Sequence, residues 1–425
     1  MRILICLNPF VSHFIPIIPV VEGILRRKGE VVFIGFPQLK EEVEKCGYEY
    51  VTIEKSTDER IQKVKREHNY DELEYIFKSI HAELKEKITE INPDLALFHI
   101  SRFDIYYIPI HDMKIKYMTY DMSFGKVKFS AFLPPSTSSV IPIGMLDMRS
   151  TFAWLKRMKR KNKDLKWSKL KTKYPYAELE TIRKENNMKW RFCIDGYYLE
   201  SPHIKFSPGR MEYRKEKNVL YAGLCVNSQN EYNTPIVFER NKRKMIYCTL
   251  GTMSNRYLKG RDFIRCLVEV IGKHSEFDMV ISLGKKGEVF PIDKIPSNIK
   301  IYDYVNQIDI LKKVDLVITH GGAGTIKECI CHEVPMLIVP SSYDQMGNAS
   351  KVHYHRIGLK NYSMRKTFFE QHLNKSIKKI NVVHLEKQIL EVLNDQRFKD
   401  RISEFHKKIE EDNEKIHFID SILCI

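Results

Sequence analysis

Residues Asp315 to Gln345 read DLVITHGGAGTIKECICHEVPMLIVPSSYDQ. Val317 and Ile318 end an apolar run bounded by polar residues, the pattern of a buried strand. The chain then breaks at His320-Gly321-Gly322-Ala323-Gly324-Thr325, where glycines allow dihedrals and close approaches that other residues do not. A helix is expected to start there, with unpaired N–H groups and partial positive charge in its first turn. Such a turn is suited to a diphosphate. A second strand and a loop ending in Asp344-Gln345 follow. The sequence therefore predicts strand, glycine turn, helix, strand and loop, the repeat of an α/β sheet protein.

The turn has neither the G-x-G-x-x-G spacing of the dinucleotide fingerprint nor the Gly-Lys-Ser/Thr ending of a P-loop. Taken alone it would only pack a helix on a sheet. The polar residues around it add the chemistry: His320 before the turn, Glu328 one helical turn beyond Thr325, and Asp344 and Gln345 after the next strand.

From Tyr304 to Gly358 these residues carry a resemblance. Tyr304-Val305-Asn306-Gln307, Thr319 to Thr325, Glu328, Val334-Pro335 and Asp344-Gln345-Met346-Gly347-Asn348 occur in the order of a nucleotide-sugar signature. The stretch resembles that of the UGT-like glycosyltransferases of the GT-B superfamily, which includes the macrolide and natural-product glycosyltransferases. The resemblance implies an α/β fold of two facing Rossmann-like, doubly wound domains with a cleft between them. It also implies an inverting, metal-independent transfer of a hexose from a nucleotide diphosphate sugar to a hydroxyl. UDP-glucose is the first choice of donor and a dTDP-sugar the alternative. No cofactor beyond this co-substrate is implied.

The site residues follow from the resemblance one by one. His320, the N–H groups of Gly322, Ala323 and Gly324, and the Thr325 hydroxyl would bind the diphosphate. Gly251 and Thr252 resemble a strand-end Gly-Ser/Thr that also meets phosphate. Tyr304, followed by Val305, would stack on the base, since stacking needs only a flat π face. Gln307 would approach a ribose or a loop carbonyl. Glu328 would accept from the ribose hydroxyls, and Asp344 and Gln345 from or to sugar hydroxyls. Asn306 stands where the family usually has Pro, a change expected to alter loop stiffness.

The catalytic residue implied is His13, in Asn8-Pro9-Phe10-Val11-Ser12-His13 after the first strand. A neutral imidazole can take a proton from an acceptor hydroxyl. Relatives often orient this histidine with an aspartate after the strand that begins Pro-Asp-Leu. Here that position is His99, and Asp104 lies beyond it. Three arrangements stay open: Asp104 substitutes, His13 works without a carboxylate, or the acceptor brings its own reactivity.

The rest of the chain fits two α/β series. Its 425 residues, 43% hydrophobic, exceed one ordinary domain. Arg2–Leu7, Val31–Phe36, Leu95–Phe98 and Lys116–Tyr120 read as strands of the first series. Phe14–Lys28 reads as a helix stopped at Gly29. The second series has strands Met245–Leu250, Phe277–Leu283 and Ile299–Tyr302, a helix Phe263–Gly272 and a short helix Asp309–Lys313. The expected domains are an acceptor-binding domain over 1–226, a linker over 227–240 and a donor-binding domain over 241–405. The stretch 406–425 is expected to be a helix that crosses back to the first domain, as the resemblance implies.

The N-terminal MRILICLNPF reads as a first buried strand rather than a signal peptide, and no apolar run is long enough for a bilayer. A cytoplasmic enzyme is the expectation. The nine cysteines are scattered apart from Cys329-x-Cys331, and residues two apart on a helix diverge, so core packing is expected there instead of a metal site. The net charge is +16. The excess is concentrated in segments such as Leu155–Tyr174, a solvated face or else a basic surface that meets anionic lipid or an anionic substrate. No nucleic-acid reading module accompanies the charge. Phe124, Phe129, Phe132 and Phe152 favour a hydrophobic small-molecule acceptor, or else belong to the core. Rival readings are a glycolipid glycosyltransferase at a membrane surface, a nucleotide-sugar epimerase and a sugar-nucleotide-binding protein without turnover.

Overall fold

The computed structural model describes residues 1–125, 138, 148–165, 169, 171–193, 196–199, 201–216, 218–227, 243–251, 260–284, 294–341, 344–364 and 380–424. For 148–150, 160–165, 190–193 and 196–199 it describes backbone only. The described residues form two compact units. The first comprises those up to Asn227, apart from Ser138, and those from Asn413 onward; the second comprises those from 243 to Asp412. The linker expected over 227–240 lies outside the described residues from position 228.

The strands in chain order are β1 (Arg2–Cys6), β2 (Glu30–Gly35), β3 (Tyr50–Thr52), β4 (Leu95–His99), β5 (Lys116–Asp121), β6 (Trp190–Cys193), β7 (Gly196–Leu199), β8 (His203–Lys205) and β9 (Val219–Tyr221). In the second unit they are β10 (Lys244–Thr249), β11 (Phe277–Ser282), β12 (Ile299–Tyr302), β13 (Leu316–Thr319), β14 (Met336–Ile338) and β15 (Gly358–Lys360). The first unit's sheet runs β3-β2-β1-β4-β5-β8-β9, every neighbour parallel. The second runs β12-β11-β10-β13-β14-β15, again all parallel. Counted within its unit, the second order is 3-2-1-4-5-6, that of a doubly wound dinucleotide fold. β6 and β7 form a separate antiparallel pair.

These strands are apolar almost throughout because helices cover both faces of the sheets. Along β1, Leu4 and Cys6 enter one buried cluster and Ile3 and Ile5 the other. Alternate side chains of a strand point to opposite faces, so each half of the run has its own core. Helix Tyr70–Ile91 supplies Leu73, Phe77, Ile80, Leu84 and Ile88 to the first cluster. The second unit's cluster joins strand residues such as Ile246, Ile281 and Ile318 to Phe263, Leu267, Leu385 and Ile389.

The helix expected as one piece over Phe14–Lys28 is broken. Val11–Phe14 is one short turn, a tighter turn covers Ile15–Ile17, and a helix runs Ile18–Arg26. Pro16 and Pro19 bring no N–H and sit at starts of these segments. The left-handed residue that ends the helix is Lys28, with φ 60°, and not Gly29. The Gly29 N–H then closes on the Ile24 carbonyl at 3.1 Å. The short helix expected over Asp309–Lys313 is Gln307–Leu311, because Asn306 caps it by accepting from the Asp309 N–H.

The C-terminal stretch holds three helices, Val382–Asn394, Gln396–Glu411 and Glu414–Leu423. The first two belong to the second unit and the last to the first unit, so residues 406–411 are not part of the helix that packs there. Phe418, Ile419 and Ile422 join Phe14, Ile18, Val21 and Ile24 in one buried cluster. Gly23 leaves the room: a Cβ there would stand 2.3 Å from Ile419 Cδ1. No described helix is long and apolar enough to cross a membrane.

Ile419 is buried and Ile416, one helical turn earlier, is 47% exposed. Ile419→Ala is expected to cost about 2–5 kcal/mol, and Ile416→Ala within about 0.5 kcal/mol. Urea denaturation of both variants checks the docking of this helix; equal effects would contradict it.

Candidate functional site

In the second unit strand order reverses between β10 and β13, and open α/β sheets hold ligands beyond the carboxyl ends of strands at such a point. Thr249 and Thr319, the last residues of the two strands, are in register. Each folds its hydroxyl over the next turn: Thr249 Oγ1 accepts from the Gly251 N–H at 3.3 Å, and Thr319 Oγ1 from the Gly321 N–H at 3.4 Å.

The His320 ring lies between two glycines. A Cβ at Gly251 would stand 2.5 Å from His320 Cε1, and one at Gly322 would stand 2.8 Å from Nε2. Gly251 has φ +74° and Gly321 φ +88°, conformations that side chains other than glycine strain to adopt. The glycines thus seat an imidazole and free the backbone at once. Burial lowers the His320 pKa to about 4, against a raising hydrogen bond to the Thr249 backbone. The ring is neutral at physiological pH.

The helix Ala323–Cys331 opens at Gly322, with no side-chain cap and no acidic residue in its first turn. Gly324 is exposed and Ala323 and Thr325 are half-buried. Its first N–H groups face no carboxylate of their own helix, so the end can accept an anion.

Behind the turn, Gln307 joins Glu328, expected at the ribose, to Thr325, expected at the diphosphate. Its amide nitrogen donates to Glu328 Oε2 and, at 3.2 Å, to Thr325 Oγ1, while its oxygen accepts from the Tyr247 hydroxyl at 3.3 Å. Burial raises the Glu328 pKa, opposed by the Gln307 bond and by Lys327. Tyr304 is half-buried and Val305 buried just before the Asn306 cap. Asp344 starts the helix Gln345–Tyr354. Asn348 donates to Asp344 Oδ2 at 2.8 Å and to the Gly321 carbonyl at 2.9 Å, tying the two loops together. Gln345 is buried, its oxygen accepting from the Ser341 N–H at 3.0 Å.

The first unit reverses its strand order between β1 and β4. His13 follows β1 and His99 ends β4, and the two rings pack with centroids 5.0 Å apart.

Residues 253–412 match the glycosyltransferase family 28 C-terminal domain. Oleandomycin glycosyltransferase of Streptomyces antibioticus is 33% identical over 106 residues, 25% of this chain and 24% of that one. NDP-glycosyltransferase YjiC of Bacillus subtilis (strain 168) is 23% identical over 215 residues, 50% of each. The chain therefore matches a quarter to a half of the length of these curated relatives. Among solved structures, the glycotransferase of kitacinnamycin superposes with TM-score 0.73 at 15% identity, covering 99% of this chain and 98% of that one. CalG4, the calicheamicin glycosyltransferase, gives 0.69 at 15% identity, covering 100% and 97%. The chain has the two-unit α/β fold of these glycosyltransferases, and part of its second unit resembles the family 28 C-terminal domain.

Of the three arrangements left open for His13, the one in which Asp104 substitutes as its partner is not formed. Asp104 Oδ2 receives Lys65 Nζ at 2.6 Å and the Tyr176 hydroxyl at 2.8 Å. Its pKa stays low because Lys65 and these bonds outweigh burial. Asp104 starts the helix Phe103–Asp112, and there its carboxylate joins the buried first-unit packing. His13 instead receives the Asn8 side-chain amide, Nδ2 to Nδ1 at 3.1 Å.

Asn8, Arg102 and Asn348 were not among the expected site residues, yet they hold the loops and the ring there. Asn8 and Arg102 follow the ends of β1 and β4, which was the signal available; Asn348 stood in the quoted motif without a role. Thr252, Phe129 and Phe132 lie outside the described residues. Phe124 is core and Phe152 is 62% exposed. Cys329 is core as well, its thiol raised well above the ordinary range by burial. On the basic stretch, Lys156 and Lys159 are exposed, and Lys173 pairs with Asp71 at 2.6 Å.

The low His320 pKa links folding to pH. The unfolded imidazole, near 6.5, takes up a proton that the folded one refuses until about 4. This contribution to stability is full above pH of about 6.5 and lost as pH falls toward about 4. His320→Asn is expected to flatten the stability curve in that window, read by denaturation at a series of pH values. A curve as steep as that of the parent would contradict a buried neutral His320.

Proposed function

We propose that the chain transfers a hexose from UDP-hexose, with UDP-glucose preferred, to an oxygen of a small hydrophobic natural product, with inversion at the anomeric carbon. The observation that carries this is the uncapped helix end at Gly322 beside the glycine-seated His320, at the strand-order reversal of the second unit. In this reading the diphosphate lies on the N–H groups of Gly322, Ala323 and Gly324, with the Thr325 hydroxyl and the neutral His320 donating beside them. As the anomeric C–O bond breaks, negative charge builds on the diphosphate. Fixed dipoles aimed at that charge lower the barrier without having to reorganise, and the proposed reaction needs no metal for this.

Glu328 supports UDP over dTDP. A carboxylate can accept from both hydroxyls of a vicinal ribose diol, and a deoxyribose offers only one of them. Two of the solved neighbours favour the alternative in their own case: spinosyn rhamnosyltransferase SpnG was solved with thymidine diphosphate and VinC with dTDP. Uncharacterized UDP-glucosyltransferase YojK of Bacillus subtilis (strain 168), 26% identical over 183 residues, supports UDP. Tyr304 is the proposed base platform. Asp344 and Gln345, bonded within the protein in this structure, would have to share or exchange those bonds to hold sugar hydroxyls. The proposed setting is the cytoplasm, where nucleotide sugars are available.

Calorimetric titration tests the donor half. UDP is expected to bind more tightly than dTDP, in EDTA as in its absence. His320→Ala and Glu328→Ala are each expected to weaken UDP by about 1–3 kcal/mol, and Glu328→Ala is expected to narrow the gap to dTDP. Unchanged UDP affinity in both variants would remove the assignment.

A further inference from the structure

His13 is held by a chain of side chains whose donor and acceptor roles are fixed from its far end. Arg102 donates through Nη1 to Asp58 Oδ1 at 2.5 Å and through Nε to Asn8 Oδ1 at 2.5 Å. Asn8 and Arg102 are both buried. A guanidinium only donates, so the oxygen of the Asn8 amide must face Arg102. The Asn8 NH2 then faces the other way, 3.1 Å from His13 Nδ1. An amide NH2 also only donates, so Nδ1 is the acceptor, and the hydrogen of the neutral ring sits on Nε2.

His99 repeats the arrangement. Its Nδ1 accepts from the Ser101 backbone N–H at 3.2 Å, which again places the hydrogen on Nε2. Burial, aided by His13, holds its pKa well below the ordinary value, so this ring is neutral too. A general base at Nε2 of His13 needs a lone pair there, and a carboxylate partner at Nδ1 would provide it by accepting Nδ1–H. Asn8, oriented by Arg102, imposes the opposite tautomer.

We infer that Asn8 and Arg102 are positioning residues that hold His13 as a hydrogen-bond donor, and that the acceptor is a phenol or carboxylic acid that arrives ionised. This rests on the glycosyl-transfer reading. The acceptor oxyanion receives the Nε2–H of His13 and its lone pair forms the bond to the anomeric carbon. The bond from that carbon to the diphosphate oxygen breaks, and its electron pair leaves with the diphosphate. No proton has to be removed, so no base is needed. An aliphatic alcohol would bring a proton that Nε2 cannot take.

The test begins with the full chain, labelled with 15N at histidine and observed by two-bond 1H–15N correlation at mildly alkaline pH. His13 is expected to show a protonated Nε2 and a lone-pair Nδ1; the reverse pattern would overturn the inference. In Asn8→Asp the introduced carboxylate keeps its pairing with Arg102 but accepts from Nδ1–H, and the His13 pattern is expected to invert. An unchanged pattern would overturn the positioning role. With UDP-glucose, the parent is expected to favour an acidic phenol over an aliphatic alcohol, and Asn8→Asp to raise the alcohol-to-phenol rate ratio about tenfold or more, since a general base contributes roughly 10²–10⁴. An inverted pattern with an unchanged ratio would overturn the acceptor class. The expected tautomers together with no transfer to any acceptor would defeat the glycosyl-transfer reading and leave the positioning role standing.

Discussion

The arrangement depends on a constraint of parallel sheets. A crossover helix must return on one face or the other, and where the chain changes the edge to which it adds strands, two neighbouring strand ends are left with their connections diverging. In the second unit that place is between β10 and β13. Thr249 and Thr319 end level there, and the loops beyond them can approach only because Gly251 and Gly322 have no side chains where the His320 ring sits. The imidazole, the two threonine-held turns and the uncapped helix follow from that one packing.

The first unit uses the same reversal for a different chemistry. Between β1 and β4 it brings together two histidines, His13 and His99, instead of a histidine and a glycine turn. In the second unit the imidazole is packed by backbone. In the first it is oriented by a polar chain that runs from Asp58 through Arg102 and Asn8. A buried polar chain of this kind is costly unless every member is satisfied, and here each bond also dictates the next. The direction of one amide therefore decides whether His13 offers a proton or a lone pair.

Much of the second unit could be read from residue order. Strand periodicity located β10, β11, β12 and β13, and the glycine turn marked the start of the helix at Ala323, because local dihedral needs and apolar runs are properties of contiguous residues. The first unit's site was less legible. Asp104 is near His13 in neither hydrogen bonding nor cluster, and its partners Lys65 and Tyr176 come from distant parts of the chain. The direction of the Asn8 amide is set by Arg102, 94 positions along the chain, which residue order does not show. Nor could spacing show that Gln307 bonds Glu328 and Thr325. Apolar spacing over Phe14–Lys28 carries no mark of the break that Pro16 and Pro19 impose.

The central claim is that the second unit's strand-order reversal receives a nucleotide diphosphate on the glycine turn. Amide chemical-shift mapping of the full chain with added UDP tests it most directly. The backbone amides of Gly322, Ala323, Gly324 and Thr325 and the His320 ring are expected to shift together and saturate with one affinity. Saturable UDP binding that leaves those amides and that ring unmoved, or no binding at all, would contradict it.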